Sequence, residues 1–118
     1  MIRDVNQKII GLKGEQMKDG NEGITLGSVI VNALLAAPPN DQTDGKTKAL
    51  RYALAMRVND AMGNGTNVPA DLGKVDFSID DLTVIKEQVG KAYGALVVGR
   101  AYEMLEQKKL EVAGTVKA

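Results

Sequence analysis

Thr25-Leu26-Gly27-Ser28-Val29-Ile30-Val31-Asn32-Ala33-Leu34-Leu35-Ala36-Ala37-Pro38-Pro39 is the stretch on which the fold turns. Thr25 is a good N-cap, because its hydroxyl can accept from a first-turn N–H that has no partner inside a helix. Leu26, Val29, Ile30, Ala33, Leu34 and Ala37 recur at i, i+3, i+4 and i+7, the spacing that lines one helical face. Pro38-Pro39 stops the helix, since proline offers no N–H to the ladder. Asn40 to Gly45 follows as a polar loop.

Upstream, Arg3 to Lys18 is predicted to form a β-hairpin. Val5, Ile9 and Leu12 are apolar among polar residues, and Lys13-Gly14-Glu15 suits a tight turn. Asp19-Gly20-Asn21-Glu22-Gly23 is a turn-rich loop. Downstream, a second helix is expected over Lys46 to Met62, with Leu50, Ala53, Leu54, Arg57, Val58 and Ala61 as its stripe. The apolar stem of Arg57 can lie along that stripe. Gly63 to Pro69 breaks it, and Lys74 to Phe77 is expected to add a short strand to the hairpin.

Ser78-Ile79-Asp80-Asp81 has the spacing of a capping box, with Asp in the place of Glu. It opens a third helix carrying Leu82, Ile85 and Val89, ending near Tyr93-Gly94. A fourth runs from Ala95 to Gln107 with Leu96, Val97, Ala101, Met104 and Leu105 on its apolar side. Lys108 and Lys109 suit its negative C-terminal end. Leu110 to Ala118 reads as a loose tail. The expected architecture is α+β and mainly α: a hairpin or three-stranded sheet against about four helices, in one domain over residues 1–109 with a tail at 110–118.

Composition narrows the chemistry. The 118 residues are 44% hydrophobic and 25% charged, which suits one globular core. Tyr52, Phe77, Tyr93 and Tyr102 are the aromatic residues, so the core must be aliphatic. Fifteen Lys and Arg balance fifteen Asp and Glu. That neutrality argues against a nucleic-acid partner, which selects for a basic surface. With neither Cys nor His, disulfides, thiolate zinc sites and the usual Ser-His and Cys-His nucleophile pairs are excluded. The N-terminal residues are too polar for a signal peptide, and Val29 to Pro39 is too short to span a bilayer. The expected compartment is therefore the cytoplasm, with no membrane partner.

No catalytic motif emerges. Gly73-Lys74 and Gly90-Lys91 lack the following Ser or Thr and the earlier glycine of a phosphate-binding loop. Asp76, Asp80 and Asp81 supply oxygen ligands of the kind divalent cations take, but capping accounts for Ser78 and Asp81. Glu103 and Glu106 read as a solvated face. Gly90, Gly94 and Gly99 either bring two helices close or, more simply, make a turn and leave packing room. The candidate partner-binding surface is the outer side of the last helix, at Arg100, Tyr102, Glu103 and Gln107. The Gly63-to-Leu72 loop comes second.

At Leu26 to Leu35, at Asp81-Leu82-Thr83-Val84-Ile85-Lys86-Glu87-Gln88-Val89-Gly90-Lys91-Ala92-Tyr93, and on through Leu96 to Glu103, the chain resembles small proteins of tailed bacteriophages and prophages. The resemblance spans roughly residues 3 to 107. It implies a phage-encoded protein in the host cytoplasm, and it carries over no site residues. The loop from Gly63 to Leu72 is longer than the pattern.

The expected function is thus non-catalytic, without a cofactor: a protein-binding accessory that assists assembly of phage head or tail proteins. The alternative is an inhibitor of a host protein, such as a CRISPR-type defence or the transcription machinery. One form of that alternative sequesters a signalling nucleotide between subunits, where helix N-termini hold phosphates. A homo-oligomer remains open in both.

Overall fold

The computed structural model describes residues 1–36, 41–65 and 71–107. Helix α1, Leu26–Leu35, begins where the sequence places it. Thr25 Oγ1 accepts from the Ser28 N–H at 3.2 Å, and Ser28 Oγ accepts from the Thr25 N–H at 3.0 Å. This reciprocal box uses Ser in the place of Glu. Leu26, Val29, Ile30, Ala33 and Leu34 are buried, and α1 forms the axis of the molecule. Helices α2, Gly45–Ala61, and α3, Ile79–Ala92, both pack on it; α4, Ala95–Glu106, packs on α3 and touches α1. The expected stop at Pro38-Pro39 lies outside the described residues, as do residues 66–70 and the tail.

The strands are short. β1, Ile2–Asp4, pairs antiparallel with β4, Lys74–Asp76, in the register Ile2↔Asp76, Arg3↔Val75 and Asp4↔Lys74. β2, Lys18–Asp19, and β3, Glu22–Gly23, pair across a turn at Gly20, whose φ of 66° favours glycine. The fold is α+β and mainly α, with two small antiparallel two-stranded sheets, β1–β4 and β2–β3.

The strand pairing differs from expectation. No regular hairpin spans Arg3 to Lys18; across the predicted turn only Ile10 bridges Gln16, with Gly14 at φ 86°. Strand 74–76 does form, but it takes β1 as its partner. The reason lies in the spacing. Val5, Ile9 and Leu12 are four and three residues apart, whereas a strand needs alternation by two to bury one face. Val5 and Ile9 are fully buried while Leu12 is 83% exposed. Residues 5–17 therefore run as a single irregular layer. The Ile9 N–H donates to Ile24 O at 2.9 Å, and Ile9 O accepts from the Met17 N–H at 2.9 Å. Gly27 lets this layer touch α1: its N–H donates to Val5 O at 2.6 Å, and a β-carbon there would lie 2.9 Å from the same oxygen.

Below that layer the core gathers Ile9, Leu26, Ile30, Val58, Phe77, Ile85, Val89 and Leu105, aliphatic except for Phe77. Arg3 is buried, and its Nε donates to Leu105 O at the C-terminal end of α4. There the helix leaves carbonyls without partners, and a cation is favoured. Among the described residues this is the cation that meets that end; Lys108 and Lys109 lie outside them.

Candidate functional site

Tyr102 shows what became of the surface expected on α4. Its hydroxyl donates to Lys86 O at 2.7 Å, and its oxygen sits 3.1 Å from where a β-carbon of Gly90 would be. Gly90 thus makes room for this side chain against α3. Arg100 Nε donates to Ile10 O at 2.9 Å and Nη2 to Gly11 O at 3.3 Å, while Nη1 pairs with Glu103 at 3.6 Å. Gln107 Nε2 reaches Ile2 O at 3.5 Å. Gln107 is exposed, but Arg100, Tyr102 and Glu103 are only half-exposed. Arg100, Tyr102 and Glu103 lie on α4 and Gln107 caps its end; Arg100, Tyr102 and Gln107 mostly serve the chain itself, donating to backbone oxygens of the N-terminal layer and of α3.

Of the acidic candidates, Asp76, Asp81 and Glu106 are likewise engaged, while Asp80 lines the groove between α2 and α3. Asp76 takes the Met1 ammonium at 2.6 Å. Asp81 accepts from the Ser78 N–H at 3.0 Å and pairs with Arg57 at 3.3 Å. Burial pushes the Asp81 carboxyl up, but the Ser78 and Arg57 hydrogen bonds outweigh it and hold the group below the usual aspartate range. At α2, hydrogen bonds from Thr47 lower the pKa of the N-cap Asp44 against weak desolvation. Glu106 pairs with Lys86 at 3.6 Å.

The open feature lies between α2 and α3. The expected stripe of α2 is only partly its core face: Leu54, Val58 and Ala61 are buried, joined by Ala55, but Leu50 is 64% exposed and Ala53 is exposed. The helix turns Leu54, Ala55, Val58 and Ala61 to α1 and leaves Leu50 and Ala53 at the side. There they face α3 across a groove of about 450 Å³. Leu50, Ala53, Leu54 and Val84 make its apolar bed. Arg57 closes one end, since its Nη2 also donates to Asp76 O at 2.9 Å. The expectation that Arg57 lends its stem to the stripe becomes, in the structure, a tie from α2 to the start of α3.

The groove also holds two polar groups without partners. Gln88 is 8% exposed, and its Nε2 is buried with no hydrogen-bond partner among the described residues. Arg51 Nε is in the same state. The Arg51 guanidinium makes no hydrogen bond or ion pair among the described residues; the pKa values of Asp41 and Asp44 are lowered mainly by hydrogen bonds from Thr43 and Thr47, with the Arg51 charge a smaller contribution. A buried polar group left unpaired costs about 1–3 kcal/mol, so such groups need a reason. Sequence reasoning passed over both. The available signal was Gln88 itself, a polar residue three after Ile85 and one before Val89 in the apolar stripe of α3.

No family model, no curated protein and no solved structure matches this chain. Among the described residues, no helix is long and apolar enough to cross a membrane.

Proposed function

We propose that this chain is a non-catalytic protein-binding accessory that engages its partner through the α2 side, and that the partner is a phage head or tail protein awaiting assembly. One observation carries the binding surface. Tyr52 and Met56, one turn apart on α2 and so neighbours on its outer face, are 58% and 36% exposed, and Leu50, 64% exposed, lies on the groove side of the same helix. Large apolar side chains grouped in this way mark contact surfaces, and Met and Tyr adapt well to a partner. Leu50 and Ala53 belong to the groove on the α3 side of the same helix. On α4, by contrast, Arg100 and Tyr102 are already bonded within the chain. The partner class rests on the resemblance of residues 26–35, 81–93 and 96–103 to small proteins of tailed phages.

A photo-crosslinking residue in place of Met56, expressed during infection, tests this. Crosslinks to a head or tail protein are the expected result. Recovery of host enzymes alone would replace assembly with host inhibition. A crosslink only to a second copy of the chain would make the α2 patch a self-association surface. Crosslinks that form from Gln107 and never from Met56 would return the contact to α4.

A further inference from the structure

The geometry points to a specific occupant of the α2–α3 groove: the free C-terminus of a partner chain, with apolar last residues on the bed and the terminal carboxylate between Arg51 and Gln88. This inference rests on the proposed role of the α2 side in binding a protein.

The charged end of the ligand follows from the unpartnered groups. The unpartnered Arg51 Nε and Gln88 Nε2 are closed off from solvent as they stand, so a ligand would meet the outer Nη groups of Arg51, and the Gln88 amide once it rotates; both groups donate hydrogen bonds. Both therefore call for oxygen acceptors. A single guanidinium beside a neutral amide matches one negative charge. A phosphate would bring close to two charges next to Asp80, Asp81 and Glu87, which repel it. A carboxylate supplies two acceptor oxygens and one charge.

The body of the ligand follows from the bed and the shape. Leu50, Ala53, Leu54 and Val84 offer aliphatic surface and no aromatic stacking partner. Lining residues run from Thr47 to Arg57 on α2, about 15 Å at the helical rise. The same span holds roughly four or five extended residues. Arg57 and Asp81 close one end. Arg51 and Gln88 lie about 10 Å further along their helices by the same rise. A chain end can lie along this length, with its backbone N–H groups facing the carboxylates of Asp80 and of Glu87, which also pairs with Lys91 at 3.9 Å, on the α3 rim. A simple fatty acid would leave those acceptors unused.

The test uses a fluorescein-labelled hexapeptide, Gly-Ser-Gly-Ala-Leu-Val, with either a free or an amidated C-terminus, and octanoate as a second ligand. Fluorescence anisotropy should show saturable binding of the free acid, and binding of the amide weaker by about tenfold or more, as expected when a charge-assisted hydrogen bond is lost. Arg51→Met should weaken the free acid to a similar degree with no change in Tm. Gln88→Leu should weaken it several-fold while Tm stays level or rises, a combination that a merely structural role does not produce. Equal binding of acid and amide, or no saturable binding of either, overturns the inference. Binding of octanoate at an Arg51-dependent site without the peptide overturns the chain-end source as well. If the peptide fails while Met56 still crosslinks a phage protein, the groove assignment falls and the proposed function stands. If the peptide binds and Met56 crosslinks no phage protein, the reverse holds.

Discussion

Two regions of this protein, the inner side of α4 and the facing sides of α2 and α3, present polar side chains beside apolar ones and use them in opposite ways. On α4, the Tyr102 hydroxyl and the Arg100 guanidinium donate to backbone oxygens at 2.7 and 2.9 Å, on segments far away in sequence. On the facing sides of α2 and α3, Arg51 and Gln88 each bury an N–H that meets nothing among the described residues. Residue type alone does not separate these cases. The difference is whether an acceptor lies within reach, and that depends on which elements pack beside the helix. Satisfied donors fasten a fold; unsatisfied ones next to an apolar groove leave room for a ligand.

The comparison can be broken first at Tyr102. Tyr102→Ala removes a half-buried ring and its hydrogen bond, and should cost about 2–4 kcal/mol in urea unfolding. A loss below about 0.5 kcal/mol would mean the side chain is a surface group and that α4 resembles α2 after all. Arg100→Ala comes next, at about 1–2 kcal/mol, since Ile10 O loses its donor and Gly11 O keeps only the Gly14 N–H. Faster amide exchange should then appear in the Gly11-to-Glu15 turn.

Asp81→Asn should cost about 1 kcal/mol at neutral pH, by weakening a cap and an ion pair. Its native pKa is lowered, so the wild type holds this stability in full above the ordinary value of 3.8 and loses it as pH falls from there through the native value. The Tm difference between wild type and variant should therefore shrink on acidification below pH 3.8. A difference that grows in acid would contradict the ion pair with Arg57. The smallest effect, of opposite sign, belongs to the groove: Gln88→Leu removes an unpaired amide and should leave stability unchanged or raise it by up to about 1 kcal/mol. A clear loss would show that the amide is bonded in solution and would erase the contrast with α4.

Much of this arrangement is legible in the order of the residues. Thr25 and Ser78 cap the helices expected of them, since a cap needs only residues three apart in the chain. The buried faces of α1 and α3 follow from their periodicity. The reading failed where spacing is neutral between outcomes. Leu50 and Ala53 fit the stripe of α2 as well as Leu54 does, yet α1 covers only one side of it. Residues 5–17 carry a turn signal, but their apolar spacing does not commit them to a partner strand, and β1 goes to β4 instead.

The sequence by itself determined the helices, their caps, the aliphatic core and the absence of His and Cys chemistry, because those depend on local spacing and residue type. Only the tertiary structure decided that Tyr102 and Arg100 are fastened inward while Arg51 and Gln88 are left unpaired beside a groove. A side chain's hydrogen-bond partners come from elements distant in the chain, here 16 residues away for Tyr102 and 90 for Arg100, and no local pattern records that encounter.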